Sequence, residues 1–258
     1  MADKSFFIDT TKCTACRGCQ VACKQWNKLP ATKTFNWGSY QNPADLSFAT
    51  FKLVRFREVV SGGKLRWYFF PDQCRHCLEP PCKDTAEGYV DGAILQDEAT
   101  GAVIYTDKTR KLSDSAFEEV RESCPYNIPR QDPATRLVTK CTMCFDRVSN
   151  GLMPACVKAC PTGTMNFGNR GDMMKMAKAR LAQVKKAGYR KAQLLDADSI
   201  RVIFLVVDDP MIYYKFAVAQ NDVGISRKLA LRKLFRPATG LVAGVAMLGS
   251  IADTSRSE

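Results

Sequence analysis

Histidine is nearly absent from this sequence: His76 is the only one in 258 residues. Nothing supplies an activated nucleophile, a general base or a glycine-rich phosphate loop, which excludes most hydrolytic, acid–base and phosphoryl-transfer chemistry. Nothing at the start reads as a signal peptide, since Met1-Ala2-Asp3-Lys4 runs straight into Phe6-Phe7-Ile8. Long apolar runs are also missing. The uncharged stretch from Pro237 to Ala252 has sixteen residues and would rise roughly 24 Å as a helix, short of a ~30 Å bilayer core. What the chain has instead is cysteine, twelve of them, and a formal charge of +12.

The cysteines are not spread as a disulfide framework would be. They sit in tight C-x2-C groups, a spacing that favours metals. Cys13, Cys16, Cys19 and Cys23 follow C-x2-C-x2-C-x3-C, the bacterial ferredoxin run, in which three cysteines wrap one cubane and the fourth ligates another. A second group is Cys74, Cys77 and Cys82, followed by Cys124-Pro125; a third is Cys141 and Cys144 with Cys156 and Cys160-Pro161. Under the ferredoxin exchange rule, Cys13, Cys16 and Cys19 take Cys160. Cys141, Cys144 and Cys156 take Cys23, and Cys74, Cys77 and Cys82 take Cys124. Every cysteine is used, which predicts three 4Fe–4S clusters. Proline after Cys124 and Cys160 suits the fourth-ligand turn because it fixes φ and removes an N–H; Lys24 after Cys23 departs from that ending. An all-cysteine zinc site at Cys141, Cys144, Cys156 and Cys160 is the competing reading, and the three close-spaced steps of the first run disfavour it.

Cluster charge also discounts the basic excess. A cubane on four thiolates carries roughly −2 when oxidised, so three clusters leave a body of about +6. Much of the Lys/Arg surplus then offsets internal negative charge, and nucleic acid is not expected as a partner.

The remaining pattern predicts an α+β fold: two interleaved ferredoxin-like units with added hairpins and a C-terminal helical extension. Residues 1–30 with 136–170 build a two-cluster unit. Residues 31–70 connect through a hairpin, with strands over 51–60 and 64–70 around Gly62-Gly63. Residues 71–135 form an inserted one-cluster unit with a second hairpin near 93–105 and a helix over 113–121. Residues 171–225 add a helix over 172–187 and a buried strand over 202–207. Residues 226–258 hold a basic amphipathic segment and the apolar tail. That tail reads as a short membrane anchor or a helix packed on a membrane partner, with Gly240-x3-Gly244 allowing close contact.

Cys13 to Trp26, Asp72 to Cys77, Cys124 to Arg130 and Lys140 to Gly168 resemble the iron–sulfur subunit of molybdenum or tungsten formate dehydrogenases. The resemblance covers roughly residues 5–170, extending to about 215. It implies electron transfer between a large catalytic subunit, which holds a bis-pyranopterin molybdenum or tungsten site, and a cytochrome or a membrane cytochrome/quinone module. The electron-transfer subunits of dimethyl sulfoxide, nitrate and polysulfide enzymes share the plan and remain the alternative, with a stand-alone polyferredoxin beside them. Larger members resemble this chain but carry four clusters. Their remaining ligands would fall near Ala86 and around Lys111 to Glu122, where no cysteine stands; the four missing ligands belong to one cluster, as in the smaller three-cluster version. The resemblance implies the periplasm, reached with an exported partner. The basic flank before the tail favours a cytoplasmic body if the tail spans.

Three further readings concern individual side chains. His76 reads as a packed, hydrogen-bonded histidine rather than a proton-coupled one. Arg17, Arg75 and Lys140 flank ligands, and two readings stay open: they tune cluster potential, or they solvate a surface. Met173, Met174 and Met176 read as core filling.

Overall fold

The computed structural model describes residues 3–219. The basic segment and apolar tail lie outside the described residues. In chain order the elements are β1 (Lys4–Asp9), α1 (Gly18–Trp26), β2 (Leu53–Ser61), β3 (Lys64–Asp72), α2 (Pro81–Glu87), β4 (Ile94–Gln96), β5 (Val103–Tyr105), α3 (Asp114–Ser123), β6 (Arg130–Gln131), β7 (Val138–Thr139), α4 (Phe145–Val148), α5 (Ala155–Lys158), β8 (Met165–Asn169), α6 (Arg170–Lys186), β9 (Gln193–Leu195), β10 (Val202–Val206) and α7 (Pro210–Tyr213).

Four strands form the main sheet in the order β8-β1-β10-β9. β1 runs antiparallel to β8, with Phe6 opposite Phe167, and parallel to β10, with Phe6 opposite Val202. Both central strands are near-continuous apolar runs because both their faces are covered. Alternation sorts the side chains. Phe7, Ile203 and Leu205 pack against Met173, Ala177 and Val184 of α6. Phe6, Ile8, Val202 and Phe204 face the other way, into a core shared with Cys19, Met143 and Cys156. One face of the sheet thus carries a helix and the other carries cysteines.

Residues 171–225, read from the sequence as an extension, supply β10, which lies at the centre of this sheet. A strand apolar at every position needs cover on both sides, and only an interior place provides it. Met176 corrects the expectation for the methionines: it is 44% exposed, because it lies off the buried stripe of Met173, Ala177 and Val184.

β2 and β3 pair in register from Leu53–Asp72 to Ser61–Lys64. Gly62 and Gly63 make the two-residue turn with φ of +58° and +72°, a conformation that suits the twist of the strands and that other residues adopt at a cost. Val54 and Phe70 anchor the base of the hairpin in the core. β4 and β5 form the second hairpin. α3 opens on Ser113, whose Oγ accepts from the Ala116 N–H at 3.2 Å. None of the described helices is long and apolar enough to cross a membrane.

Candidate metal centres

The structure gathers the twelve cysteines into three groups of four, each around its own cavity. Cys13, Cys16, Cys19 and Cys160 line the first (group 1). Cys23, Cys141, Cys144 and Cys156 line the second (group 2). Cys74, Cys77, Cys82 and Cys124 line the third (group 3). These are the sets that the exchange rule pairs. Among the described residues, no group of three or more His, Cys, Asp or Glu converges tightly enough for a single metal ion. Four thiols converging on each cavity are the donor set that a 4Fe–4S cluster takes.

Local chain geometry explains how a short C-x2-C segment aims two sulfurs inward. The second residue after the leading cysteine has positive φ in each group: Ala15 (+53°), His76 (+46°) and Met143 (+62°). That turn points backbone N–H groups at sulfur. The His76 N–H donates to Cys74 Sγ at 3.4 Å and the Met143 N–H to Cys141 Sγ at 3.5 Å. Helix α1 then carries Cys19 and Cys23 one turn apart, into groups 1 and 2 respectively. Gly18 permits this, since a Cβ there would stand 3.3 Å from the Ala159 carbonyl oxygen of the chain beside it.

Burial pushes the Cys13 and Cys82 thiols up to about 11 and those of Cys124 and Cys141 up to about 12. Within each cavity the thiols also raise one another: Cys77 feels Cys124, Cys74 and Cys82, and Cys23 feels Cys141, Cys156 and Cys144. Four mutually repelling thiolates in a dry site require a cationic guest, so the donor set suits an iron–sulfur core. Cys160 differs. Burial raises it, but N–H groups of Met165, Thr162 and Thr164 and the Thr162 hydroxyl outweigh this and hold it below the ordinary thiol range.

Group 2 lies between the others. Cys156 interacts electrostatically with Cys19 of group 1, and Cys141 with Cys74 of group 3. The apolar cores show the same order. One joins Cys19 to Cys156, and another joins Cys23 and Cys141 to Cys74 and Cys77.

The charged residues beside the ligands are mostly internal. Arg75 is 1% exposed. Its Nη1 donates to Asp72 Oδ1 at 2.8 Å and to the Gln73 carbonyl, and its guanidinium stands 4.7–5.2 Å from the rings of Phe204, Tyr126 and Phe70. Lys140 is 5% exposed, with Nζ donating to the carbonyls of Val103 and Cys141. The surface-solvating reading therefore fails for both. Arg17 is half-buried over the Phe56 ring at 5.0 Å. The His76 Nδ1 accepts from the Val103 N–H at 3.0 Å. Burial, then the charges of Lys140 and Arg201, hold that imidazole well below its usual range and so neutral, in keeping with the packed reading.

Sequence reasoning missed Lys52, which lines the group 2 cavity, and Tyr105, whose buried hydroxyl faces Cys82. Lys52 lies far from any motif. Its one signal is a lone charge inside Phe51-Lys52-Leu53-Val54.

Where the resemblance places a fourth set of ligands, there is packed hydrocarbon. Ala86 on α2 is fully buried with Ala93, Ile94, Leu112, Ala116 and Val120, the last two on α3. Cys82 of group 3 borders the same core.

A family model described as a 4Fe-4S dicluster domain matches residues 65–170. A formate dehydrogenase subunit beta of Megalodesulfovibrio gigas is 55% identical over 216 residues, covering 84% of this chain and 99% of the relative. A formate dehydrogenase 2 subunit beta (cytochrome c-553) of Nitratidesulfovibrio vulgaris is 53% identical, covering 83% and 98%. A formate dehydrogenase-O iron-sulfur subunit of Escherichia coli is 38% identical over 80% of this chain and 68% of its own length. With such identity over nearly the full length of the first two relatives, the chain belongs to the iron–sulfur, or beta, subunits of formate dehydrogenase.

Proposed function

We propose that the chain relays electrons through three 4Fe–4S clusters, one per cysteine group, between a catalytic subunit that oxidises formate or reduces carbon dioxide and a cytochrome or membrane carrier. The observation that carries this is the division of twelve cysteines into three four-thiol cavities with none left over. The molybdenum or tungsten bis-pyranopterin belongs to the partner, and the family supports formate over the related oxidoreductases. Each cluster, when bound, supplies reversible one-electron storage. The chain's own part is to hold the three sites in a row with group 2 in the middle, to exclude water with the Phe6, Ile8 and Phe204 face of the sheet, and to aim N–H groups at sulfur. A cytochrome as acceptor draws support from the relative whose name carries cytochrome c-553. The periplasm is the proposed location.

Anaerobically prepared protein is expected to hold about twelve iron per chain, four for each cubane. Eight or sixteen, or stoichiometric zinc, would overturn the three-cluster reading. Membrane contact through residues 226–252 is proposed from the sequence. A chain ended after Arg236 is expected to keep its iron and its partner-linked dye reduction but to leave the membrane fraction. A full-length complex that never sediments with membranes would sink that contact.

A further inference from the structure

Two buried lysines occupy equivalent places in the row of sites. Lys52, 1% exposed, donates from Nζ to the Pro71 carbonyl at 3.1 Å and to Gln73 Oε1 at 2.6 Å. Pro71 lines the group 1 cavity, while Lys52 and Gln73 line that of group 2. The ammonium is therefore fixed in the wall between them. Lys140 repeats the arrangement one step on. Its Nζ donates to the carbonyl of Val103, which lines the group 3 cavity as Lys140 itself does, and to that of Cys141 in group 2, at 2.9 Å for the latter. It also stands 4.7 Å from the Tyr105 ring, on the group 3 side.

Among the described residues neither ammonium has a carboxylate partner; all four acceptors are carbonyl or amide oxygens. Buried charges are ordinarily paired, and leaving one unpaired is costly. The nearby guanidiniums obey that rule. Arg55 and Arg75 share Asp72, and Arg55 also holds Asp45. The two lysines do not, and among the described residues the negative groups their positions answer are the thiolates of the cavities they line.

Resting on the three-cluster reading, we propose that Lys52 and Lys140 are the shared counter-charges of the clusters, Lys52 for groups 1 and 2 and Lys140 for groups 2 and 3, each raising the reduction potential of both neighbours. A fixed cation favours the form that has gained an electron. Placed in a shared wall, each cation favours both ends of its own transfer step, so group 2, which borders both lysines, is raised most. Two hydrogen bonds hold each ammonium, so no reorientation accompanies the electron.

The test is potentiometric titration of the iron-loaded complex, followed by electron paramagnetic resonance, with signals assigned using Cys124→Ser. Lys52→Gln keeps a donor and removes the charge. It should lower the potentials of groups 1 and 2, by tenfold in the one-electron equilibrium or about 59 mV, and leave group 3 in place. Lys140→Gln should lower groups 2 and 3 and spare group 1. Lys→Arg at either position, which keeps the charge, should hold the wild-type values. Loaded Gln variants with unmoved potentials, or Arg variants shifted as far as Gln, would overturn the assignment. A Gln variant that takes up no iron while its Arg counterpart loads supports it, and failure of both to load counts against it. A wild-type iron count other than about twelve would instead sink the cluster reading, so the two failures are separable.

Discussion

Cys124→Ser is expected to remove one cluster and leave two, dropping the iron from about twelve to about eight per chain. Cys124 faces Cys74, Cys77 and Cys82, and the N–H groups of Tyr126 and Ile128 are directed at its sulfur. A serine oxygen is a harder, less readily deprotonated ligand, so group 3 should be lost while groups 1 and 2 keep their signals. Because group 3 ends the row, electron flow through the whole chain should fall by orders of magnitude, whereas dye reduction at the partner's own site should persist. Beyond group 3 lies the apolar core of α2 and α3. For that reason Ala86→Cys should add no iron: the one cysteine bordering that core, Cys82, already belongs to group 3, and α3 fills the space a further cluster would need. Three intact cubanes in Cys124→Ser, or damage appearing first at the Cys141 group, would require a different ligand assignment.

Much of this arrangement is legible from residue spacing. The positions of Cys13, Cys16 and Cys19 dictate an irregular turn, and the unpaired Cys23 demands companions elsewhere, so the sequence reaches the same foursomes that the fold brings together. Gly62-Gly63 between alternating strands announces a hairpin, and Ser113 announces a helix start, because each rests on local chemistry. What spacing cannot convey is the consequence of long-range packing. The run Val202 to Val206 reads as buried anywhere; that it lies beside β1, closing the back of the cysteine cores, depends on contacts across nearly two hundred residues. Lys52 is hidden for the same reason. Its meaning comes from which two cavities it divides, and nothing adjacent to it in the chain hints at either. Lys140 and Arg75 could be suspected from their ligand neighbours, but charge tuning and surface solvation give the same sequence and differ only in burial.

Asp72→Ala is expected to cost about 3–5 kcal/mol, the usual loss on stripping one partner from a buried ion pair. The carboxylate is fully buried and divides itself between two guanidiniums, with Arg55 Nε on Oδ2 and Arg75 Nη1 on Oδ1, both at 2.8 Å. Its removal leaves Arg75 among the Phe70, Tyr126 and Phe204 rings with no counter-charge. That guanidinium is the point where the end of β3, β10 and the segment after Cys124 meet, and it lies next to the ligand Cys74 in the chain. The damage should therefore reach group 3 first. In a thermal melt of the loaded protein, the visible absorbance should be lost on the order of 10 °C earlier than in wild type, with group 3 signals bleaching ahead of the other two. Asp72→Asn keeps one acceptor oxygen and should fall between the two. An Asp72→Ala protein with the wild-type Tm would show that the pair is solvated and contributes little; uniform bleaching of all three groups would show that Arg75 secures the whole core and not one end of it.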